Sequence, residues 1–246
     1  MILRTPRLLL RPAVLDDVDH WDRLNHAPGV MRHLASRAPS RQETAASLRR
    51  MVAAAALHHD YGFFSAFADE AFVGWFHLKP GLADDGGADI FNPELGYRLL
   101  PESWGQGLAT EGSRALLDHA FPELGVSSVQ ALTMTVNTGS RRVMERLGMR
   151  LEGSEPWPHS DLVEGHEQGV VRYRITLPDW TQRHLDVRAR LHQLQREALA
   201  RRDDEALAAL RRTGMELAGL EADGERAADS LVEELATRHG ITLRGQ

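Results

Sequence analysis

Residues 104–112 read WGQGLATEG. Two glycines flank a glutamine, and small residues lead straight into a helical pattern. Glycine lets a main chain approach a ligand closely. The N–H groups of such a loop can converge on an anion, and the dipole of the helix that follows favours negative charge there. A dinucleotide-binding loop would read G-x-G-x-x-G, with an acidic residue about twenty positions on. A nucleoside-triphosphate loop would end G-K-[ST]. Neither pattern is present, so the loop suits a pyrophosphate that needs neither magnesium nor a ribose contact. By themselves the same glycines serve equally well as a plain strand-to-helix turn, and the context has to decide.

The elements around the loop supply that context. ELGYRLL (94–100) reads as a strand stopped by Pro101, and ATEGSRALLDHAF (109–121) as the helix that follows it. VQALTMTV (129–136) is rich in β-formers, and SRRVMERLG (140–148) is a short helix with Gly148 at its end. Asn137 and Ser140 stand at the start of that helix, where both residue types are favoured as caps. Further upstream, RLLLRP (7–12) reads as a strand, and LDDVDHWDRL as a helix with acidic residues in its first turn. A second helix covers roughly 41–57. GFFSAFA (62–68) and AFVGWFHLK (71–79) form a hairpin over the Asp69-Glu70 turn. GVVRYRITL (169–177) is the last strand. Strands alternating with helices in this way describe a mixed α/β sheet.

All seven Phe, five Trp and three Tyr lie at or before Trp180. Aromatic side chains dominate core burial, so the chain divides into residues 1–180 and a differently built 181–246. In the second part Val187, Leu191, Leu194 and Ala198 step by helical spacing. Leu207, Leu210, Leu217 and Leu220 repeat the pattern, as do Ala228, Leu231 and Leu235. These are amphipathic helices with one apolar stripe each, which must be buried against something. The candidates are a hairpin partner within the extension, the first part of the chain, or a second copy of the chain, the last of which would make a homodimer through this helical extension.

The formal net charge is −6 with no basic tract, which disfavours nucleic acid. The absence of cysteine excludes disulfides, thiolate metal sites and a cysteine nucleophile. The opening MILRTPRLLLRP holds too short an apolar run for a signal peptide or a membrane span. A cytoplasmic protein without membrane partners is expected.

Three stretches in order, ELGYRLLPESWGQGLATEG, VNTGSRRVMERLGM and the closing strand before LPDW, resemble the GNAT superfamily of acyl-CoA N-acyltransferases. Together with TPRLLLRP and LDDVDHW, they look most like the branch containing the ribosomal-protein N-terminal (alanine/serine) acetyltransferases. The resemblance covers about residues 1–180. It implies a mostly antiparallel mixed sheet flanked by helices, whose strands 94–100 and 129–136 splay apart around the acyl donor, acetyl-CoA. No metal is implied.

Carried over position by position, the resemblance implies that the pantetheine arm pairs with main-chain groups near Leu99 and Leu100, like an added strand. The pyrophosphate falls on amides of Gly105, Gln106, Gly107, Leu108, Ala109 and Thr110. Trp104 stands where the wider superfamily has Arg or Gln, which removes one polar contact and suggests an apolar lid. Asn137 and Ser140 match the family's N-x-x-S, with Asn137 on the pantetheine arm. The implied chemistry is amine attack on a thioester. Glu94, at the start of the cleft-lining strand, is the candidate base, and partial burial would raise its pKa toward the working range. The resemblance also makes Ser140 the candidate acid for the leaving thiolate, although families of this superfamily more often use a tyrosine there and residues 138–149 hold none. A main-chain N–H near Leu99 or Leu100 would stabilise the charge developing on the thioester oxygen.

Other groups are weaker. His77 on the second hairpin strand faces either the cleft or the core. His159, Asp161, Glu164, His166 and Glu167 match no usual ligand spacing, and their acidity suggests a cationic amine acceptor. That amine is a protein N-terminus or a small molecule. The reading set against an enzyme is a non-catalytic acyl-CoA-binding adaptor that acts through its helical tail.

Overall fold

The structure is a computed structural model. It describes residues 1–185 other than 58, 59, 84, 85, 160 and 161, together with residue 194. The chain divides into two units, Met1–Leu177 and Pro178–Gln246. In the second unit, residues 178–185 are helical. There the Trp180 carbonyl lies 2.8 Å from His184 Nδ1, and the two rings stand 3.9 Å apart. The amphipathic helices expected between 187 and 246 fall almost entirely outside the described residues, and so does a homodimer through them.

The first unit is built on one sheet of eight strands: β1 (Leu3–Arg4), β2 (Leu9–Pro12), β3 (Gly62–Ala68), β4 (Ala71–Leu82), β5 (Ala88–Leu99), β6 (Ser128–Met134), β7 (Arg150–Glu155) and β8 (Val170–Thr176). Their order across the sheet is β1-β2-β3-β4-β5-β6-β8-β7. Every neighbouring pair is antiparallel except β5 and β6, which run parallel. The helices are α1 (Val18–His26), α2 (Arg41–Ala55), α3 (Leu108–Leu124) and α4 (Thr138–Arg146). This is the mixed α/β architecture expected for residues 1–180. Among the described residues no helix is long and apolar enough to cross a membrane.

Local chemistry explains several element ends. Ser40 caps α2 by accepting from the Glu43 N–H at 3.3 Å, while Glu43 accepts from the Ser40 N–H at 2.7 Å. Gly107 is the N-cap of α3 in a left-handed conformation, φ 80°, and Gly125 closes that helix at φ 62°. Asn137 caps α4 by accepting from the Ser140 N–H at 3.1 Å.

One face of the sheet packs against α1 and α2. Trp21, Leu24, Leu48, Phe72, Trp75 and Leu100 form that core. Each such side chain contributes roughly 1.5–3 kcal/mol by leaving water. A buried polar cluster is built into it. Arg11 grips Asp17 with both Nη atoms, at 2.9 and 2.5 Å, and Ser65 Oγ donates to Asp17 at 2.7 Å. Trp21 Nε1 in turn donates to Ser65 Oγ at 3.2 Å. The opposite face receives α3, which packs on β4, β5 and β1. Gly112 is required there, because a Cβ would lie 2.4 Å from the Phe76 ring.

Two strands exceed the sequence expectation. β4 and β5 are each twelve residues long. Pro80 and Pro93 make the sequence read as though pairing stopped short of them, but the hairpin tolerates both through a register shift between Lys79 and Gly81. β7 was not foreseen. Its six residues are all exposed and mostly polar, so no alternating pattern marks it, and pairing with β8 alone makes it a strand.

Candidate active site

The parallel strands part almost as soon as they meet. Glu94↔Gln130 is their one register pair, preceded by the Ser127 N–H donating to the Phe91 carbonyl at 2.8 Å. Beyond Glu94, β5 continues to pair with β4, and β6 with β8, but not with each other. A gap therefore opens between residues 95–99 and 131–134. The Leu100 N–H donates to the Val73 carbonyl at 2.9 Å, so strand alternation turns the main-chain groups of Leu99 toward the gap. Leu100 N–H is thereby committed to β4, which removes it from the amides expected to face a thioester oxygen. The Leu99 carbonyl accepts from Trp104 Nε1 at 2.8 Å. Trp104 itself is 49% exposed, with its ring edge near Gly29.

At the mouth of the gap, Gly105 and Gly107 both take positive φ, 72° and 80°. No acceptor among the described residues takes the amide N–H groups of residues 105–110. Thr110 Oγ1 is also buried without a partner. Unused donors at a helix N-terminus form a nest for an anion, and this set fits the pyrophosphate of a coenzyme A group. The Gln106 side chain is not part of it, since Nε2 folds back on the Glu102 carbonyl at 2.6 Å. Arg7, which the sequence marked only as the start of a strand, braces the loop. Its Nη1 donates to the Gln106 carbonyl at 2.9 Å, and its Nε donates to Glu111 at 2.7 Å.

On the α4 side of the gap, Ser140 Oγ lies 2.9 Å from the Tyr97 hydroxyl, which also donates to the Ser140 carbonyl at 3.1 Å. Burial pushes the Tyr97 phenol up, so it stays protonated. Residues 138–149 hold no tyrosine, but β5 thus brings one against α4, a placement no local pattern could reveal. The Asn137 side-chain oxygen is spent on the cap, and its amide nitrogen has no partner among the described residues. Of the three arginines that follow, Arg141 lies back on the sheet, with Nε donating to the Tyr173 hydroxyl at 3.2 Å, while Arg142 and Arg146 are exposed.

On the other face of β5 stand Glu94, Gly96 and Arg98, at every second residue. Opposite them on β4 are Lys79, His77 and Trp75. Glu94 Oε1 lies 3.0 Å from Lys79 Nζ and 3.4 Å from His77 Nε2. The His77 ring occupies the space a Cβ on Gly96 would fill, 2.4 Å from Cε1, and stacks on Trp75. Neither ring nitrogen of His77 makes a hydrogen bond of good geometry, and burial lowers its pKa although Glu94 works the other way. For Glu94 the expectation of a raised pKa is corrected. Burial does disfavour the carboxylate, but contact with His77 and the charge of Lys79 more than offset it, and the pKa falls to about 2. The responsible neighbours lie on β4, out of reach of a reading of the Glu94 segment alone.

In the loop before β8, Glu164 pairs with Arg32 at 3.2 Å, and His166 turns to the Val163 carbonyl at 2.9 Å. Asp161 lies outside the described residues. Among the described residues, no three acidic, histidine or cysteine side chains are grouped to hold a metal ion.

Comparisons with known proteins bear on this arrangement. Residues 7–150 match the family model described as an acetyltransferase (GNAT) domain. The FsC-acetyl coenzyme A-N(2)-transacetylase of Aspergillus fumigatus is 33% identical over 181 residues, which span 72% of this chain and 77% of that protein. A GNAT-family acetyltransferase from Bacillus anthracis shares the fold at 21% identity, with a TM-score of 0.61 over 72% of this chain and 99% of that one. RimL, the ribosomal L7/L12 α-N-protein acetyltransferase solved in complex with coenzyme A, does so at 18% identity, with a TM-score of 0.61 over 72% of this chain and 98% of that one. The splayed strands, the nest of free amides and these matches lead to one conclusion: the chain belongs to the GNAT family and is an N-acetyltransferase that uses acetyl-CoA as its acyl donor.

Proposed function

We propose that this enzyme passes the acetyl group directly to a primary amine that approaches from the side of Glu94. The observation that carries the reading is the Glu94 carboxylate, which is ionised and stands on the last residue pair joining β5 to β6, where the gap begins. In this reading the pantetheine arm enters the gap as an added strand against the main chain of Leu99, reached also by the Asn137 amide. Its pyrophosphate rests on the amides of residues 105–110.

A carboxyl with a pKa of about 2 is too weak a base to take a proton from a free ammonium, whose pKa is near 10. The acceptor therefore enters as the neutral amine and donates an N–H to Glu94. Its nitrogen attacks the thioester carbon and, as the C–N bond forms, its protons become far more acidic. Glu94 then takes one of them. On the other side of the gap the C–S bond breaks, and the sulfur takes a proton from the Ser140 hydroxyl, relayed from Tyr97 at 2.9 Å; Glu94 then releases its proton to solvent, and the hydroxyl pair regains one from solvent before the next turnover. The acceptor class open to this chemistry includes a protein N-terminus and small amines.

The test is to incubate the full chain with acetyl-CoA and a panel of amines and peptides while following free thiol. Amine-dependent thiol release that falls sharply in Glu94→Gln supports the reading. Release that Glu94→Gln leaves unchanged overturns the role of Glu94, and no release with any acceptor overturns direct transfer to amines.

A further inference from the structure

Two positions beyond Gly96 on the same face of β5, Arg98 carries a positive charge with no carboxylate to match it among the described residues. Its Nη1 donates to Asn25 Oδ1 at 2.6 Å and lies 3.6 Å from Met31 Sδ. Its guanidinium lies over the Trp75 ring, 4.9 Å from the centroid. Nε is fully enclosed and has no acceptor, and no partner takes Nη2. Burial alone sets its pKa, lowering it to about 10, and no negative group contributes. Three other arginines of the sheet differ. Arg11 has Asp17, Arg172 has Glu155, and Arg174 has Glu152.

The side chain is nonetheless held in place. Asn25 Nδ2 donates to Thr44 Oγ1 at 3.1 Å, so α2 fixes α1, and α1 fixes the guanidinium. Trp75 is itself stacked on Trp21 at 5.4 Å. An unpaired charge taken from water is costly, and here the fold builds a rigid support for it. Arginine is the residue whose planar donors suit a carboxylate, and a fixed guanidinium loses little entropy on binding one. Glu94 and Arg98 are four residues apart on one strand, about 13 Å between Cα atoms. Both side chains flank the His77 ring, which covers Gly96 between them.

We propose that Arg98 binds an anionic group of the acceptor, so that the acceptor is an amino acid or amino-acid-like amine whose carboxylate meets Arg98 while its nitrogen meets Glu94. This rests on the reading above in placing the amine at Glu94. Glu94 then selects the nitrogen and Arg98 the far end, and the spacing between them sets the length of the acceptor.

The test compares 4-aminobutyrate, 5-aminopentanoate, 6-aminohexanoate and glycine with their carboxamides, which keep the amine and lose the negative charge. In the full-length wild type, kcat/KM for at least one acid exceeds that of its amide by tenfold or more, mainly through KM. Arg98→Met brings the acid down to the level of the amide, while the KM for acetyl-CoA stays within twofold. A wild type that shows no preference for any acid overturns the proposal, as does an Arg98→Met enzyme that keeps the preference. If Arg98→Met does not fold, the wild-type ratios decide, with Arg98→Lys as the second variant. Absence of thiol release with acids and amides alike marks failure of the transfer reading instead. In that event calorimetric titration of the same acids and amides decides: preferential binding of an acid supports the role of Arg98, and equal or absent binding overturns it.

Discussion

The Tyr97 hydroxyl lies 2.9 Å from Ser140 Oγ and joins β5 to α4 across the gap between the splayed strands. The two residues are 43 positions apart in sequence. They form one hydroxyl pair, and in the mechanism proposed above this pair supplies the proton to the departing thiolate. The pairing makes each residue depend on the other, because a buried hydroxyl that loses its partner pays for its desolvation.

Tyr97→Phe and Ser140→Ala are each expected to lower kcat by about 10²-fold, the lower end of the range of proton-transfer catalysis. The KM for acetyl-CoA should change little. The double variant should cost no more than the worse single one, since the two act as a unit. Steady-state kinetics of the three variants checks this, and additive losses would show separate roles.

Glu94→Gln is expected to reduce kcat/KM by about 10²–10⁴-fold. The pH dependence separates the carboxylate from the amine. Glu94 is already ionised at neutral pH, so it contributes no rising limb between pH 5 and 9. The limb should instead follow the pKa of whichever acceptor is used. Rate profiles with two amines of different basicity provide the measurement, and a limb common to both would point to a group on the protein.

The same pair makes a stability prediction. The folded pKa of Glu94, about 2, lies below its ordinary 4.5. The stability it adds is therefore complete above about pH 4.5 and disappears as the pH falls toward 2. Because Lys79 is 45% exposed, solvent screens much of that gain. Lys79→Met should raise the carboxyl pKa, measured by NMR titration, and flatten the acid limb of the melting curve.

Gly107→Ala should weaken the donor site without disturbing the core. At φ 80° a Cβ costs about 1–2 kcal/mol of backbone strain, and its nearest neighbour is the end of the flexible Arg7 side chain at 3.5 Å. A several-fold rise in the KM for acetyl-CoA, with a melting temperature lowered by a few degrees, is the expected result.

Asp17→Ala should destabilise the enzyme by about 1–3 kcal/mol, because it leaves the buried Ser65 hydroxyl and the half-buried Arg11 guanidinium without their acceptor. Burial raises the pKa of Asp17, but its hydrogen bonds from Arg11, Val14 and Ser65 lower it further, so this stability too is lost as the pH falls below the ordinary carboxyl range. Denaturant unfolding at pH 7 and at a pH well below 3.8 reads both effects, with a smaller difference between variant and wild type at the lower pH.

How much of this was legible beforehand depends on the range of the interaction. The glycine loop, the helix it opens and the Asn137 cap each depend on residues within a few positions, so local patterns carry them. The exposed, polar β7 left no pattern, because its strand character comes from β8. Glu94 was found by its position at the head of a strand, but its pKa was misread because Lys79 and His77 reach it from the neighbouring strand. Tyr97 was passed over because a tyrosine near Ser140 was sought only within residues 138–149, while Tyr97 reaches it from β5.

The sequence by itself determined the mixed α/β class, the glycine turn that opens α3, and the family to which these motifs belong, since turns and short motifs are local properties. Only the tertiary structure decided which charges meet. Pairing β4 with β5 in one register sets Lys79, His77 and Trp75 beside Glu94, Gly96 and Arg98. Packing α1 and α4 against that sheet brings Asn25 to Arg98 and Ser140 to Tyr97. Electrostatic partnership depends on distance in space, and these distances are set by strand register and helix packing rather than by spacing along the chain.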